Sequence, residues 1–218
     1  MDTIKESAKI NHMVINGAKC STIRIAVNNQ DPIPITVDNI NIPHMPSMKL
    51  LGVTIQNNLK WEEQVKCMVS KANTRKYFIS VLRHAGVQMS DLIKCYCTFI
   101  RPILEYASPV WHSGLTCHQS DMLERIQMQV LRTVLPDSSY REALIISGLL
   151  TLKERRQKLC LNFAQGLLES EFSCWLPPRR GACHQRDLRN NDKLSSLTAR
   201  TKRFSASPIM NCVTLLNM

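Results

Sequence analysis

Three kinds of pattern are missing from this sequence of 218 residues, and the first is a long apolar run. A membrane-spanning helix needs ~20 apolar residues, whereas the uncharged helical run of interest, Ala143 to Leu152, is about half that length. The opening residues are mixed and polar, which argues against an apolar targeting segment. We therefore expect a soluble intracellular protein, cytoplasmic or nuclear, without a membrane partner.

The second absence concerns disulfide and metal-binding patterns. The nine cysteines are an odd number without a CxxC pair, which argues against a disulfide framework. Cys95 and Cys97 would point in different directions on a helix. Cys174, Cys183 and His184 lack a second paired ligand at zinc-finger spacing. None of the six histidines is followed two residues later by aspartate, which excludes a His-x-Asp iron site, and we expect no metal and no cofactor.

An adjacent pair of aspartates is the third pattern that the sequence lacks. Enzymes that transfer phosphoryl or nucleotidyl groups use carboxylates to hold two metal ions, and these normally include an adjacent Asp pair on a hairpin. The residues of this chain alone could not position such metals. We therefore expect no catalytic residue and no enzymatic activity of this kind.

What the sequence does contain is an excess of positive charge on a chain that can form a core. Lysine and arginine number 28 against 17 acids, for a formal net charge of +11, and 44% of the residues are hydrophobic. Such a charge favours polyanionic partners, with nucleic acid ahead of an anionic membrane. After Ser170, eight basic residues stand against three acidic ones without a sustained apolar period. We expect residues 171–218 to form a basic, poorly ordered and largely irregular tail.

The apolar period changes from two to about 3.6 near Trp61, and this change divides the chain. Before it, short alternating runs separated by Asn, Asp and Pro predict a small antiparallel β region over about residues 20–56. The expected strands are Ser21–Val27, Ile35–Val37, Ile40–Ile42 and a last one through Leu50, Leu51, Val53 and Ile55. Gly52 is expected to interrupt the last strand at a bulge or a close approach of the backbone. The predicted fold class is α+β, predominantly α.

Helices with recognisable ends are predicted after Trp61. The first runs from Trp61 to about His84, with Lys71 and Arg75 giving its polar face a positive edge. The next begins with Ser90 as its N-cap and is kinked or broken at Pro102. Three further helix starts are predicted. Two are capping boxes, Thr116 with Gln119 and Thr151 with Glu154. The third is the segment Asp137 to Ser139, which begins a short helix that Gly148 ends.

The helix after Thr151 begins with four cations, at Lys153, Arg155, Arg156 and Lys158. Positive charge opposes the helix dipole there, and an anionic partner would offset that cost. The buried face is predicted to carry Leu152, Leu159, Phe163 and Leu167. Earlier in the chain, next to Pro102, Glu105 is expected to pair with Arg101 or another nearby base rather than to act in catalysis.

Several segments, collinear along the chain, resemble the reverse transcriptases of non-LTR retrotransposons. Residues 49–61, KLLGVTIQNNLKW, are similar to the segment after the catalytic palm, in which an LGV strand-turn element is the primer grip. Residues 11–20 resemble the family's NKMxINxxKT turn, although Cys20 stands where threonine is usual. Residues 100–116, IRPILEYASPVWHSGLT, are close to the family's IRPVLEYACPVW.

The resemblance implies the C-terminal part of such an enzyme, truncated upstream of its catalytic aspartates. Residues 1–58 would be a palm remnant with a primer-grip-like strand, residues 59–170 a helical thumb-like bundle, and residues 171–218 the tail. Lys19 would lie where the family has a lysine near the leaving pyrophosphate. The region would at most bind the RNA or DNA backbone of a template–primer without reading sequence. Resemblance and charge together suggest these nucleic-acid-binding residues: Lys19, Leu51, Gly52, Val53, Lys71, Arg75, Arg155 and Arg156.

Two alternatives stay open beside this interpretation. The chain could be a helical protein-interaction module that uses its apolar faces rather than its charge. It could also be a non-functional transposon relic, in which strand faces without their former sheet are exposed and prone to aggregate.

Overall fold

The computed structural model describes residues 2–25, 34–37, 40–183 and 190–218, and its contacts divide the chain into two compact units. The first unit is Met1–Lys60 and the second is Trp61–Met218, so the division falls where the apolar period changes. Helices dominate the described residues, and the strands form two small antiparallel sheets. The predicted class, α+β and predominantly α, is confirmed.

The described residues of the first unit form one α-helix and two strand pairs. These elements are α1 (Asp2–Ile10), β1 (Thr36–Val37), which pairs with β2 (Ile40–Asn41), and β3 (Ser47–Leu50), which pairs with β4 (Val53–Gln56). The predicted strand over residues 21–27 is not formed in its described part, where Thr22 makes only an isolated bridge to His44. The neighbouring Pro43 and Pro46 lack the N–H groups that a longer ladder would need, and Val27 lies outside the described residues.

The segment around Gly52 is a hairpin and not a single bulged strand, so the predicted bulge is wrong. Leu50 pairs with Val53 across the turn, and Leu51 and Gly52 are its two central residues. Both have positive φ, 46° at Leu51 and 86° at Gly52, as a type I′ turn requires. Glycine adopts this conformation without strain, which is why a two-residue turn can form here.

The described residues of the second unit are mostly helical. The helices are α2 (Glu62–His84), α3 (Met89–Cys95), α4 (Arg101–Glu105), α5 (Ser108–Trp111), α6 (Cys117–Val134), α7 (Tyr140–Ser147), α8 (Leu152–Glu169), α9 (Arg180–Cys183), α10 (Lys202–Ser205) and α11 (Pro208–Leu216). A π-helical turn, Tyr96–Ile100, connects α3 to α4. Two 3₁₀ turns, His112–Gly114 and Glu171–Trp175, follow α5 and α8.

The core of this unit forms where α2 packs along α6. The predicted stripe of α2 is confirmed at its buried members, Trp61, Val65, Met68, Ala72 and Ile79. The predicted face of α6 is confirmed as well, at Leu123, Ile126, Val130 and Val134. Apolar spacing alone therefore located the central helix pair.

Helix ends follow the capping residues at most of the predicted positions. The capping boxes of Thr116 with Gln119 and of Thr151 with Glu154 are both formed, with each side chain bonded to the other residue's backbone N–H. Gly148 ends α7 in the left-handed conformation, with φ of 66°. The prediction of Ser90 as an N-cap is wrong, because the Gln88 carbonyl already accepts from Leu92 and α3 begins one residue before Ser90.

The π-helical turn lies where the sequence predicted a kink. Pro102 has no N–H to bond the carbonyl of Thr98, and its ring would meet that carbonyl in a regular α-helix. The chain widens over Tyr96–Ile100 and starts a new helix with Pro102 in its first turn. The widened turn buries Tyr96 and Ile100 but leaves Phe99 61% exposed.

The buried face of α8 differs from the prediction. Leu152, Arg156, Cys160 and Ala164 are buried at a spacing of four, whereas Phe163 is 49% exposed and Leu159 is only partly buried. The predicted face was built from apolar residues alone and did not include Arg156. The structure places this charged side chain inside, where Nε and Nη2 have hydrogen-bond acceptors and Nη1 has none.

The end of the chain is more regular than the predicted irregular tail. Helix α11 packs on α8, where Cys212 and Val213 join Ala164, Leu176 and Leu194 in a second apolar cluster. The side chain of Asn217 closes this arrangement by bonding the backbone N–H of Leu194 at 2.9 Å and its carbonyl at 3.1 Å. The stretch that leads to α11 is polar and gives no sequence signal for this packing.

Candidate nucleic-acid interface

Three of the four predicted site residues of the first unit lie on turns. Lys19 is exposed at the end of a 3₁₀ turn, Gly17–Lys19, which the Asn16 side chain caps through the N–H of Ala18. Leu51 is 85% exposed at the tip of the β3–β4 hairpin, beside the exposed Gly52. Val53, by contrast, is buried, and it supports the hairpin rather than presenting a surface.

Lys71 and Arg75 lie one turn apart on the exposed surface of α2. The Arg75 side chain is held in place, because its Nη1 donates a hydrogen bond of 2.7 Å to the carbonyl oxygen of Phe99. From Lys66 to His84 the helix carries five lysines and arginines and no acidic residue. The middle and end of α2 therefore form a region of positive potential that no acid of the same segment neutralises.

Arg155 belongs to an ion pair inside the helical unit. Its Nε lies 3.1 Å from Oε1 of Glu105, and the side chain of Glu105 is 11% exposed. Arg101 approaches the same carboxylate oxygen at 3.6 Å, which confirms the predicted pairing of Glu105 with Arg101. The Glu105 carboxylate thus neutralises charge on α4 and α8 together, and Arg155 presents less free charge than its position suggests.

Arg156 lies in the core with no exposed surface. Its Nε donates to His112 Nδ1 at 3.4 Å and its Nη2 to Ser120 Oγ at 2.9 Å, while the guanidinium carbon is 5.9 Å from the centroid of the Trp111 ring. Burial lowers the pKa of Arg156. Burial and the adjacent Arg156 charge lower the pKa of His112 to about 4, so the neutral ring accepts this bond. Arg156 therefore fastens α8 to its neighbours and cannot reach a phosphate from this position.

Glu124 supplies the anion that the sequence suggested an external partner would bring to the start of α8. Its carboxylate accepts hydrogen bonds from the backbone N–H of Leu152 at 3.1 Å and of Lys153 at 3.3 Å. These are first-turn N–H groups with no acceptor of their own in the helix. A carboxylate at this end also interacts favourably with the helix dipole. The cations that remain exposed on α8 are Lys153 and Lys158.

A chain of buried and partly buried hydrogen bonds joins Glu124 to the π-helical turn. The Tyr96 hydroxyl donates to Gln127 Oε1 at 2.6 Å, and Gln127 Nε2 donates to the Tyr140 hydroxyl at 3.0 Å. The Tyr140 hydroxyl in turn donates to Glu124 Oε1. Burial raises the pKa of both tyrosines, which keeps their hydroxyls protonated and donating. The network fixes α6 and α7 relative to the turn that carries Phe99.

Two features are absent from residues 2–25, 34–37, 40–183 and 190–218. These residues contain no cluster of three or more His, Cys, Asp or Glu side chains that could hold a metal ion. They also contain no helix whose length and apolar character would allow it to cross a membrane.

One comparison with known proteins identifies a relative of this chain. Over 123 residues, 55% of the chain, the sequence is 21% identical to the probable RNA-directed DNA polymerase from transposon X-element of Drosophila melanogaster. The matched region spans 13% of that relative's length. No protein-family model and no solved structure matches the chain.

Proposed function

Because this chain contains a region related to the reverse transcriptases of non-LTR retrotransposons, we propose that it binds the sugar–phosphate backbone of an RNA or DNA duplex without reading sequence. The proposal concerns binding alone. The sequence contains no adjacent pair of aspartates, and the role assigned to this chain is to hold a template–primer rather than to extend it.

The observation that carries the proposal is the uncompensated positive charge of α2 between Lys66 and His84. Seventeen residue steps separate Lys66 from Arg83, which at 1.5 Å per residue places these cations along roughly 26 Å of helix. Double-stranded nucleic acid carries about one charge per 1.7 Å of its axis. A helix of this length can therefore lie beside several phosphates at once.

Lys71 is the best-placed residue for a backbone contact. It is exposed and lies one turn before Arg75, whose guanidinium is oriented by the Phe99 carbonyl. The two side chains can present their cations to the same nucleic-acid strand, and the hydrogen bond to Phe99 already holds Arg75 in place. Arg155 and Arg156 have no place in this surface, because the first is paired with Glu105 and the second is buried.

Fluorescence anisotropy with a labelled RNA–DNA duplex tests the proposal. Lys71→Gln should weaken binding about fivefold at low salt and reduce the magnitude of the salt slope by about one, because one phosphate contact is lost. Lys71→Arg keeps the charge and should bind nearly as well as the wild type. Lys202→Gln, which removes an exposed cation from α10, is the matched control.

Equal losses in Lys71→Gln and Lys202→Gln would show that net charge alone accounts for binding, and would refute a site on α2. Folded wild-type protein that binds no duplex at low salt would refute the function itself. That second result would favour the alternative of a helical protein-interaction module.

A further inference from the structure

An apolar groove with exposed aromatic rings continues from the Lys71–Arg75 pair. Its cavity measures about 350 Å³ and is lined by Phe78, Ile79, Leu82, Phe99 and Ile100, with Arg75 at the edge. Phe78 and Phe99 are each 61% exposed, although both are large apolar side chains. Cavities of this volume lie within the range of pockets that bind small ligands.

The groove owes its shape to Pro102. Because this proline forces the π-helical turn, Phe99 turns away from the core while Ile100 remains buried. The Phe99 carbonyl is then bonded by the Arg75 guanidinium, so one contact fixes both the ring-bearing turn and the cation. This hydrogen bond therefore joins the turn that carries Phe99 to the helix that carries Phe78.

Charge distinguishes the two ends of the groove. Lys71, Arg75, Phe78 and Leu82 follow one stripe of α2 at spacings of four, three and four residues, so the two cations precede the apolar section. On α3, the carboxylate of Asp91 is paired with Lys94 at 2.9 Å. The chemistry that complements this arrangement is a flat apolar group joined to an anion.

We propose that the groove takes an unpaired base of a single-stranded segment of nucleic acid, with the adjoining phosphate against Lys71 and Arg75. The inference rests on the proposed function and adds to it a preference for nucleic acid that has an unpaired end. Aromatic rings beside a cationic track bind single strands regardless of sequence, because every base has a face that can stack. A paired base within a duplex cannot enter the groove, since both of its faces are covered by neighbours.

The experiment compares a blunt RNA–DNA duplex with the same duplex carrying a short single-stranded extension. The wild-type protein should bind the extended duplex at least fivefold more tightly than the blunt one, as expected for stacking of one base. Phe78→Ala and Phe99→Ala should remove this preference and leave binding of the blunt duplex within about twofold. Phe78→Trp retains a stacking ring and should preserve the preference.

Phe163→Ala is the matched control. Phe163 is 49% exposed on α8 and does not line the groove, whereas the ring of Tyr77 contacts that of Phe78. Circular dichroism of each variant verifies that the fold is retained, which we expect because these rings are largely exposed. An extension labelled with 2-aminopurine should lose fluorescence on binding to the wild type and keep it with Phe78→Ala.

Four results would overturn the inference. They are equal binding of both duplexes by the wild type, equal effects of Phe163→Ala and Phe78→Ala, binding of an apolar peptide that competes with the extension, and a dimer in sedimentation equilibrium that Phe78→Ala dissociates. If blunt-duplex binding persists without a preference for the extension, this inference fails and the proposed function stands. If the blunt duplex is not bound at all, the proposed function fails first.

Discussion

Replacing Glu124 with alanine should destabilise the helical unit by about 3 kcal/mol. The Glu124 carboxylate accepts from the Tyr140 hydroxyl and from the N–H groups of Leu152 and Lys153. A hydrogen bond to a charged group contributes about 1.5–3 kcal/mol, and a buried donor left without an acceptor is costly. Water can replace the carboxylate as acceptor for the N–H of the exposed Lys153, so only two of the three hydrogen bonds are counted. Two bonds at about 1.5 kcal/mol each give about 3 kcal/mol.

Urea denaturation at neutral pH, followed by circular dichroism, measures this loss. For a protein of this size the change corresponds to a fall in Tm of roughly 6–12 °C, at about 2–4 °C per kcal/mol. Glu124→Gln keeps an acceptor oxygen but removes the charge, and it should lose about 1–1.5 kcal/mol. The control is Glu169→Ala, an exposed carboxylate in the last turn of α8, which should change stability by less than ~0.5 kcal/mol. A Glu124→Ala protein as stable as this control would refute the reasoning.

The remaining predictions concern close packing and pH. Gly114→Ala should lower the free energy of unfolding by about 1–3 kcal/mol, because a Cβ there would lie 2.5 Å from Nε1 of the buried Trp61. Gly166→Ala has open space around the new Cβ and should raise the free energy of unfolding by up to about 1 kcal/mol. Urea denaturation measures both changes. The pKa of His112 is lowered from 6.5 to about 4 in the folded protein. As pH falls, the unfolded chain therefore binds this proton before the folded protein does, and stability should fall between about pH 6.5 and pH 4. The full shift is worth about 3 kcal/mol, which partial exposure of the ring reduces to about 1–2 kcal/mol. His112→Asn keeps an acceptor for Arg156 and should lose this part of the pH dependence; an unchanged pH profile would contradict the assignment.

Local rules predicted the helices where local interactions determine them. Thr116 and Thr151 begin helices through bonds to residues only three positions away, and Gly148 ends one through its own backbone conformation. The apolar stripes of α2 and α6 could also be predicted, because both helices bury one continuous face. In these cases the sequence contains both partners of the deciding interaction within a turn or two.

The misassigned parts depend on partners that are distant in sequence. Arg156 is buried because His112 and Ser120 accept its hydrogen bonds, and neither residue can be associated with it from spacing. Glu124 likewise serves α8 from a different helix. The same limit applies to the candidate site. The sequence predicted Lys71 and Arg75 from their charge, but the exposure of Phe99 beside Arg75 depends on the π-helical turn.

The salt dependence of wild-type binding to an RNA–DNA duplex tests whether α2 holds nucleic acid through its phosphates. If α2 contacts several phosphates, the logarithm of the association constant should fall with the logarithm of salt concentration with a slope of about −3 or steeper, at roughly −0.9 per contact. The slope should be the same for duplexes of unrelated sequence, because backbone contacts do not read bases. A slope near zero, or a folded protein that does not bind even at low salt, would contradict the claim.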